Sequence, residues 1–290
     1  MAHQKNTKLP ISPCMTVSGL LGGLSILLIL ITNSFTNAGA EAEEMSAWFS
    51  IELIGIEKLP ETPEAIEAGK GIYRKKCVWC HGISGKGDGP ITYQMGTRGN
   101  PRPRDFTIEI YKLRSTSDNE LPTDEDLFLT ITRGMPGTAM PSWRTLSDTQ
   151  RWQLVYYIKT FSSEFQDYGP GESIKIGKVI PSTDESLVQG RKLYIEAKCW
   201  ECHGNSGRGD GPAAKDQKND KGDPLLTTDL TNPEAFKAGY SPRVIYRTLT
   251  TGLGGASMPS FSATLSTEKL WHLANYISSL AQSSDSQVLP

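Results

Sequence analysis

The chain has 290 residues, which is enough for two domains of ordinary size. Its 30 basic and 32 acidic side chains leave a formal net charge of −2 at pH 7, and no block of basic residues stands out. A nucleic acid partner is therefore excluded, because proteins that bind nucleic acids concentrate positive charge on one face.

The N-terminus has the three parts of an export signal. Lys5 and Lys8 form a positive segment, residues 17–31 form an apolar core, and residues 38–40 form an A-x-A cleavage signature. We predict a signal peptide over residues 1–40 and an exported protein, in the periplasm or an equivalent extracytoplasmic compartment. An uncleaved membrane anchor is the alternative, although this apolar core is shorter than the about 20 residues that span a bilayer.

Helical spacing of apolar residues and glycine predicts one helix before each of two cysteine motifs. The spacing i, i+3, i+7 occurs at Ile66, Gly69 and Tyr73 and again at Leu187, Gly190 and Tyr194. A glycine inside a helix costs about 1 kcal/mol relative to alanine. We therefore predict that Gly69 and Gly190 allow close backbone packing against the last helix of each half.

Each of these helices leads into a C-x-x-C-H motif, CVWCH at residues 77–81 and CWECH at residues 199–203. Two cysteines at this spacing can form thioethers with haem, and the following histidine can bind the iron. A redox dithiol also uses C-x-x-C, but it requires no histidine after the motif. A zinc site with four cysteines usually keeps its two pairs within about 20 residues of each other, whereas Cys80 and Cys199 are 119 positions apart. The motifs predict two covalently bound haem c groups, held by Cys77, Cys80, His81, Cys199, Cys202 and His203.

The remaining cysteine and histidines are accounted for separately. Cys14 is the fifth cysteine and lies in the predicted signal, so no thiol remains for a disulfide or a thiolate ligand. We interpret His272 as a solvated surface histidine, with ligation of iron as the minor alternative. The carbonyl groups of Pro90 and Pro212 are candidate acceptors for the second nitrogen of each motif histidine.

An internal repeat relates the two halves of the chain after residue 50. Equivalent positions lie 118 to 122 residues apart, and they include GDGP at residues 87–90 and 209–212. Met140 and Met258 also match, and each is followed by Pro-Ser. A methionine thioether is a usual second axial ligand of haem iron, so we predict Met140 and Met258 as iron ligands beside His81 and His203. Met95 and Met135 have no methionine counterpart and are the rivals in the first half.

One further helix is predicted toward the end of each half. Apolar stripes at i, i+3, i+4 and i+7 begin at Leu154 and Leu273, Ser147 with Gln150 forms a capping box, and Ser266 is an N-cap candidate. No clear alternating strand pattern is found, although residues 51–56 and 174–180 could form minor strands. We predict an all-α fold with domains over residues 45–163 and 186–290, joined by a connector at residues 164–185.

These motifs resemble class I c-type cytochromes in a tandem di-haem form, over roughly residues 50–285. The resemblance rests on C-x-x-C-H, GDGP, Met-Pro and the closing helix in both halves. It implies two cytochrome c domains, each a small helical fold around one haem, with a His/Met iron and one-electron transfer in the periplasm. It also implies that replacing either methionine removes the Fe–S charge-transfer band.

The function that follows is electron transfer between redox partners, either as a carrier or as a subunit of a membrane respiratory complex. Two methionine-bound irons would leave no open position for a substrate, so we predict that the chain is not itself an enzyme. A di-haem cytochrome c peroxidase is the alternative, since that class also has two C-x-x-C-H motifs. The matched Met-Pro segments and the lack of a spare histidine argue against it.

Overall fold

The computed structural model describes residue 53 and residues 55–118 and 120–285. The predicted signal and its alternative as an anchor lie outside the described residues, as do residues 51, 52 and 54 of the candidate strand at residues 51–56. Across the described ranges the fold is helical and contains no strand, only isolated bridges, which confirms the predicted all-α class. No helix in this part of the chain is both long and apolar enough to cross a bilayer.

The first lobe, residues 55–167, is built from five α-helices and one 3-10 helix at Pro90–Gln94. The α-helices are α1 (Pro63–Lys76), α2 (Val78–His81), α3 (Asp124–Arg133), α4 (Asp148–Lys159) and α5 (Ser163–Asp167). Side chains at the helix starts satisfy the free backbone N–H groups. Thr123 with Asp126 and Ser147 with Gln150 form full capping boxes, and the second of these confirms the prediction.

The second lobe, residues 174–285, repeats this order with four α-helices and two 3-10 helices, at Ala214–Asp216 and Pro233–Ala235. The α-helices are α6 (Asp184–Glu196), α7 (Trp200–His203), α8 (Pro242–Thr251) and α9 (Thr267–Asp285). The Ser266 hydroxyl accepts a hydrogen bond from the backbone N–H of Lys269 at 3.4 Å, as an N-cap does. Residues 174–180 form no strand.

A glycine lets the first and last long helices of each lobe touch through their backbones. A Cβ atom on Gly69 of α1 would collide with the carbonyl group of Gln153 in α4. A Cβ atom on Gly190 of α6 would collide in the same way with the carbonyl group of His272 in α9. Both collisions are with backbone, which cannot move aside, so the predicted close packing at Gly69 and Gly190 is confirmed.

Each lobe has its own hydrophobic core centred on a buried tryptophan of its last long helix. Trp152 stacks on Phe128 with a centroid distance of 4.2 Å, and Trp271 stacks on Tyr246 at 4.4 Å. The predicted connector contributes to both cores. Phe165 is buried in the first, whereas Ile174, Ile176, Val179 and Ile180 pack against the second.

Charged side chains join the two lobes along a surface that we call the lobe junction, formed by residues 98–114 against residues 215–225 and 251–255. Arg102 donates to the buried Asp223 carboxylate through its backbone N–H at 2.9 Å and through its guanidinium group. Arg104 pairs with Asp220 at 2.9 Å. The Arg114 guanidinium donates to the carbonyl oxygen of Thr251 at 2.7 Å. These contacts fix the position of one lobe on the other.

Candidate functional site

Each C-x-x-C-H motif forms a single helical turn directly after a long helix. In the first lobe the backbone N–H groups of Cys80 and His81 both donate to the carbonyl oxygen of Cys77, at 3.1 and 2.9 Å. Cys202 and His203 donate to Cys199 in the same way, at 3.3 and 2.8 Å. All four cysteines are partly exposed, and none of them forms a disulfide. This turn brings both thiols of a motif and its histidine to the wall of one cavity.

The GDG segment after each motif folds back onto the helical turn. In the first lobe, Gly87 and Gly89 donate to the carbonyl oxygens of His81 and Cys80, at 2.9 and 3.1 Å. The Tyr73 hydroxyl group donates to the carbonyl oxygen of Gly82 at 2.8 Å. Gly82 has φ of +76°, where a side chain would be strained and would also meet Asp88. The motif is therefore held rigidly by its own downstream loop.

The second lobe repeats each of these contacts with nearly the same distances. Gly209 and Gly211 donate to His203 and Cys202 at 2.8 and 3.1 Å, and the Tyr194 hydroxyl group donates to Gly204 at 2.7 Å. The repeated sequence therefore encodes a repeated geometry, including the backbone contacts that hold the motif.

The second ring nitrogen of each motif histidine contacts a backbone carbonyl group. His81 Nδ1 lies 3.3 Å from the Arg104 oxygen, and His203 Nδ1 lies 3.0 Å from the Thr228 oxygen. The expectation that Pro90 and Pro212 supply these acceptors was wrong, because each ring faces the loop beyond GDGP. A carbonyl oxygen can only accept, so Nδ1 carries the proton and the Nε2 lone pair is available to a metal.

Burial keeps both histidines neutral at physiological pH. It lowers the pKa of His81 to about 4, an effect opposed by the hydrogen bond to Arg104. Burial also lowers the pKa of His203, against the hydrogen bond to Thr228. A neutral imidazole is the form that ligates iron, so the surroundings of both rings suit ligation.

The first lobe contains a cavity of about 170 Å³, and all four site residues predicted there line it: Cys77, Cys80, His81 and Met140. Met95 and Met135 line the same cavity, so all three candidate thioethers reach this space. The second lobe contains a cavity of about 360 Å³ lined by Cys199, Cys202, His203 and Met258. The choice of Met140 over its rivals therefore stays a prediction.

The segments that carry Met140 and Met258 have the same backbone geometry. Met135 donates to the carbonyl oxygen of Met140 and Leu253 donates to that of Met258, both at 3.1 Å. The hydroxyl groups of Ser142 and Ser260 donate to Thr132 and Thr250 at 2.7 and 2.5 Å. Each Met-Pro-Ser segment is thus tied to the end of the helix before it, which supports equivalent roles for the two methionines.

Both cavities have the chemistry that a haem requires. Their walls are mainly apolar, and each also includes positively charged side chains, Arg102 and Arg104 in the first and Lys198 and Lys237 in the second. The two thiols and the imidazole of each C-x-x-C-H motif are the groups that hold haem c, and they lie together on the wall of one cavity. The residues present therefore fit haem, because the apolar walls suit the apolar faces of its ring and the polar groups suit its propionates.

The sequence analysis missed the residues that pack against the motif histidines. Phe106 stacks on His81 with a centroid distance of 4.6 Å and an interplanar angle of 16°. Leu230 takes the equivalent place in the second lobe, since Phe106 and Leu230 donate to Gly85 and Gly207, respectively. The repeat contained a signal for this position, because D-F-T at residues 105–107 matches D-L-T at residues 229–231.

The expectation that His272 is solvated was wrong. Its side chain is 18% exposed, and its Nδ1 lies 2.8 Å from the hydroxyl oxygen of Ser186 in α6. Asn275 donates to the same hydroxyl group at 2.9 Å. His272 is therefore part of a polar contact between α6 and α9 and is absent from the walls of the two cavities described here.

Comparisons with known proteins agree with this geometry. The family model described as cytochrome c oxidase, cbb3-type, subunit III, matches residues 64–158, and the cytochrome c family model matches residues 187–281. A search of curated proteins gave no match. Among solved structures, a chain described as the Kuenenia stuttgartiensis reducing HAO-like protein complex is 42% identical, with a TM-score of 0.70. The alignment covers 77% of the present chain and 100% of that chain.

These domains imply haem c and electron transfer, and the family suggests a location outside the cytoplasm. The solved relative is described as part of a protein complex. The chain belongs to the c-type cytochromes and carries two cytochrome c domains in tandem.

Proposed function

We propose that the chain is an exported di-haem cytochrome that transfers single electrons between redox partners and does not catalyse a reaction of its own. Cys77 and Cys80 would hold one haem and Cys199 and Cys202 the other, with His81 and Met140, and His203 and Met258, as axial ligands. Bound in this way, haem iron supplies reversible one-electron transfer. The proposal rests mainly on one observation: each cavity is lined by both cysteines, the histidine and the methionine predicted for it.

The protein's own residues would then have three tasks. The GDG loops and the tyrosine hydrogen bonds hold each motif rigid, which limits the rearrangement that accompanies a change in oxidation state. The carbonyl groups of Arg104 and Thr228 orient the two imidazoles. Apolar walls exclude water, and a thioether ligand favours reduced iron. If Met140 and Met258 each bind iron opposite a histidine, neither haem would have an open position for peroxide, and this favours electron transfer over peroxide reduction.

We further propose that the chain works as a subunit of a larger redox assembly, although the same site would also serve a free carrier. The solved relative is described as a component of a complex, and the alignment covers that chain completely. Native gel migration with in-gel haem staining separates the two. A species much larger than the mass of the chain supports the subunit role, and migration near that mass supports the carrier.

Covalent haem counting tests the proposal. The pyridine haemochrome assay and intact mass should give two haems per chain, and the double variant C77A/C80A should give one, as should C199A/C202A. The variant C14A is the matched control and should keep both haems, because Cys14 belongs to neither motif. Fewer than two haems in the wild-type chain, or two in either double variant, would contradict the proposal.

Axial ligation is tested by spectroscopy of the oxidised protein. Met140→Ala and Met258→Ala should each remove part of the Fe–S charge-transfer absorption, whereas Met135→Leu and Met95→Leu should leave it intact. Stopped-flow mixing with peroxide addresses the enzyme alternative. Turnover by the wild-type protein well above that of free haem would overturn the assignment as an electron-transfer protein.

A further inference from the structure

The two cavities share part of their walls. Four residues of the first lobe line both cavities: Pro101, Lys112, Leu113 and Thr138. Asn219 of the second lobe, in turn, lines the first cavity. The cavities therefore adjoin at the lobe junction, and the shared residues lie between them.

The backbone around Lys112 is fixed by the second lobe. A Cβ atom on Gly254 would collide with the carbonyl group of Tyr111, so the two backbones are in direct contact. On the other side, Arg114 donates to the carbonyl oxygen of Thr251 at 2.7 Å, and the Thr251 hydroxyl group donates to Arg114 at 3.3 Å. Lys112 is thus held at the boundary of both cavities by contacts on each side.

Lys112 is a half-buried cation without a carboxylate partner. In the described part of the chain, no carboxylate lies within 4 Å of its Nζ. Asp220 is the acid that attracts it, but the Asp220 carboxylate is already paired with Arg104 at 2.9 Å. Burial, with repulsion from Lys237 and Arg104, lowers the pKa of Lys112 to about 8.

A buried charge without a partner is costly, which indicates that an anion belongs beside Lys112. The groups expected in these cavities carry carboxylates, because each haem has two propionates. We propose that Lys112 is a shared counter-ion that pairs with a propionate of each haem and thereby links the two redox centres electrostatically. The inference rests on the proposed function, since it requires a haem in each cavity.

A positive charge near haem stabilises the reduced, less positive iron and raises its midpoint potential. A single lysine shared by both cavities should therefore influence both potentials. Lys237 provides a comparison within the same molecule, because it lines the second cavity and is absent from the first. Burial lowers the pKa of Lys237 as well.

Spectroelectrochemical titration of the full holoprotein tests the inference. Lys112→Gln should lower both midpoint potentials, Lys237→Gln should lower only that of the second haem, and Lys112→Arg should give smaller shifts than Lys112→Gln. A shift of only one potential in Lys112→Gln, or of neither, would overturn the inference if two haems are still attached. A haem count below two in the wild-type chain would instead refute the proposed function.

A structure of the wild-type holoprotein decides the matter if Lys112→Gln does not fold. Lys112 Nζ should then lie within hydrogen-bond distance of a propionate oxygen of each haem. An Nζ paired with Asp220, or with a propionate of one haem alone, would refute the shared role.

Discussion

The two lobes hold their histidines in the same way but surround them differently. Tyr73 and Tyr194, the GDG loops and the Met-Pro-Ser segments make matching hydrogen bonds in both. The walls differ: Phe106 stacks on the first histidine where the second lobe has Leu230, and the cavities measure about 170 and 360 Å³. Backbone contacts around the ligands are thus repeated while the apolar packing varies. We infer that the two lobes would bind their haems in the same way, while the different apolar packing would give the two haems different midpoint potentials.

The largest expected effect tests whether the helix crossing is equivalent in the two lobes. Gly69→Ala and Gly190→Ala should each lower the free energy of unfolding by about 3 kcal/mol, because the new methyl group meets a backbone carbonyl. Thermal and denaturant unfolding followed by circular dichroism would measure both. Gly71→Ala is the matched control in α1, since its Cβ would have open space. It should be neutral or stabilising by up to about 1 kcal/mol.

The next effect tests whether the lobes unfold as one unit. Asp223→Asn should lower the free energy of unfolding by about 2 kcal/mol, because Arg102 loses a buried, charged acceptor. If the pair couples the lobes, calorimetry of the holoprotein should resolve two transitions in Asp223→Asn and one in the wild type. An unchanged thermogram would show that this pair does not couple the lobes.

The Asp223 carboxylate should also make the stability of the protein depend on pH. Burial alone would raise the pKa of Asp223, but hydrogen bonds and charge from Arg102 outweigh it and lower the pKa below 3.8. The folded state therefore gains stability from this group above about pH 4, and the gain is lost as the pH falls through the lowered pKa. Between pH 5 and pH 3 the free energy of unfolding should fall more in the wild type than in Asp223→Asn. Denaturant titrations at a series of pH values across this range would measure the difference.

A smaller effect compares the tyrosine contacts. Tyr73→Phe and Tyr194→Phe should each cost about 1.5 kcal/mol, because the carbonyl oxygen of Gly82 or Gly204 loses a buried donor. Equal losses would confirm that the two contacts are equivalent. A loss in one lobe alone would show that water replaces the hydroxyl group in the other.

The smallest expected effect tests the difference between the walls of the two cavities, where the first lobe has Phe106 and the second has Leu230. Phe106→Leu should cost about 1 kcal/mol through loss of the stacking on His81, and it makes the first lobe resemble the second. Leu230→Phe is the reciprocal variant, placed against the larger cavity. Potentiometric titration should show the potential of the altered haem moving toward that of the other. Movement away in both variants would show that these side chains do not explain the difference.

Local patterns in the sequence predicted much of the fold. The spacing at Ile66, Gly69 and Tyr73 corresponds to α1, and the Ser147 capping box begins α4. The longer helices α3 and α8 were not predicted, although TITRG at residues 130–134 matches TLTTG at residues 248–252. The short helix α5 was not predicted either, and it falls at the start of the predicted connector. The caps of α3 and α8 at Thr123 and Ser241 carried a further signal.

The site was less predictable wherever it depends on contacts distant in the chain. The acceptors for His81 and His203 are carbonyl groups, which any residue type provides, so side-chain identity could not identify Arg104 or Thr228. The pairs across the lobe junction join residues more than 100 positions apart. Lys112 has no repeat-matched motif, and its importance appears only once the two cavities are seen to adjoin.

The crossing of the first and last helices at Gly69 and Gly190 has a consequence for the order of events during biogenesis. Neither lobe can close until its last long helix packs on its first, and α4 follows Cys80 by about 70 residues. The thiols of the first motif therefore lie on a part of the chain whose core is incomplete until α4 arrives, so attachment of a haem would be easiest before that helix packs against α1.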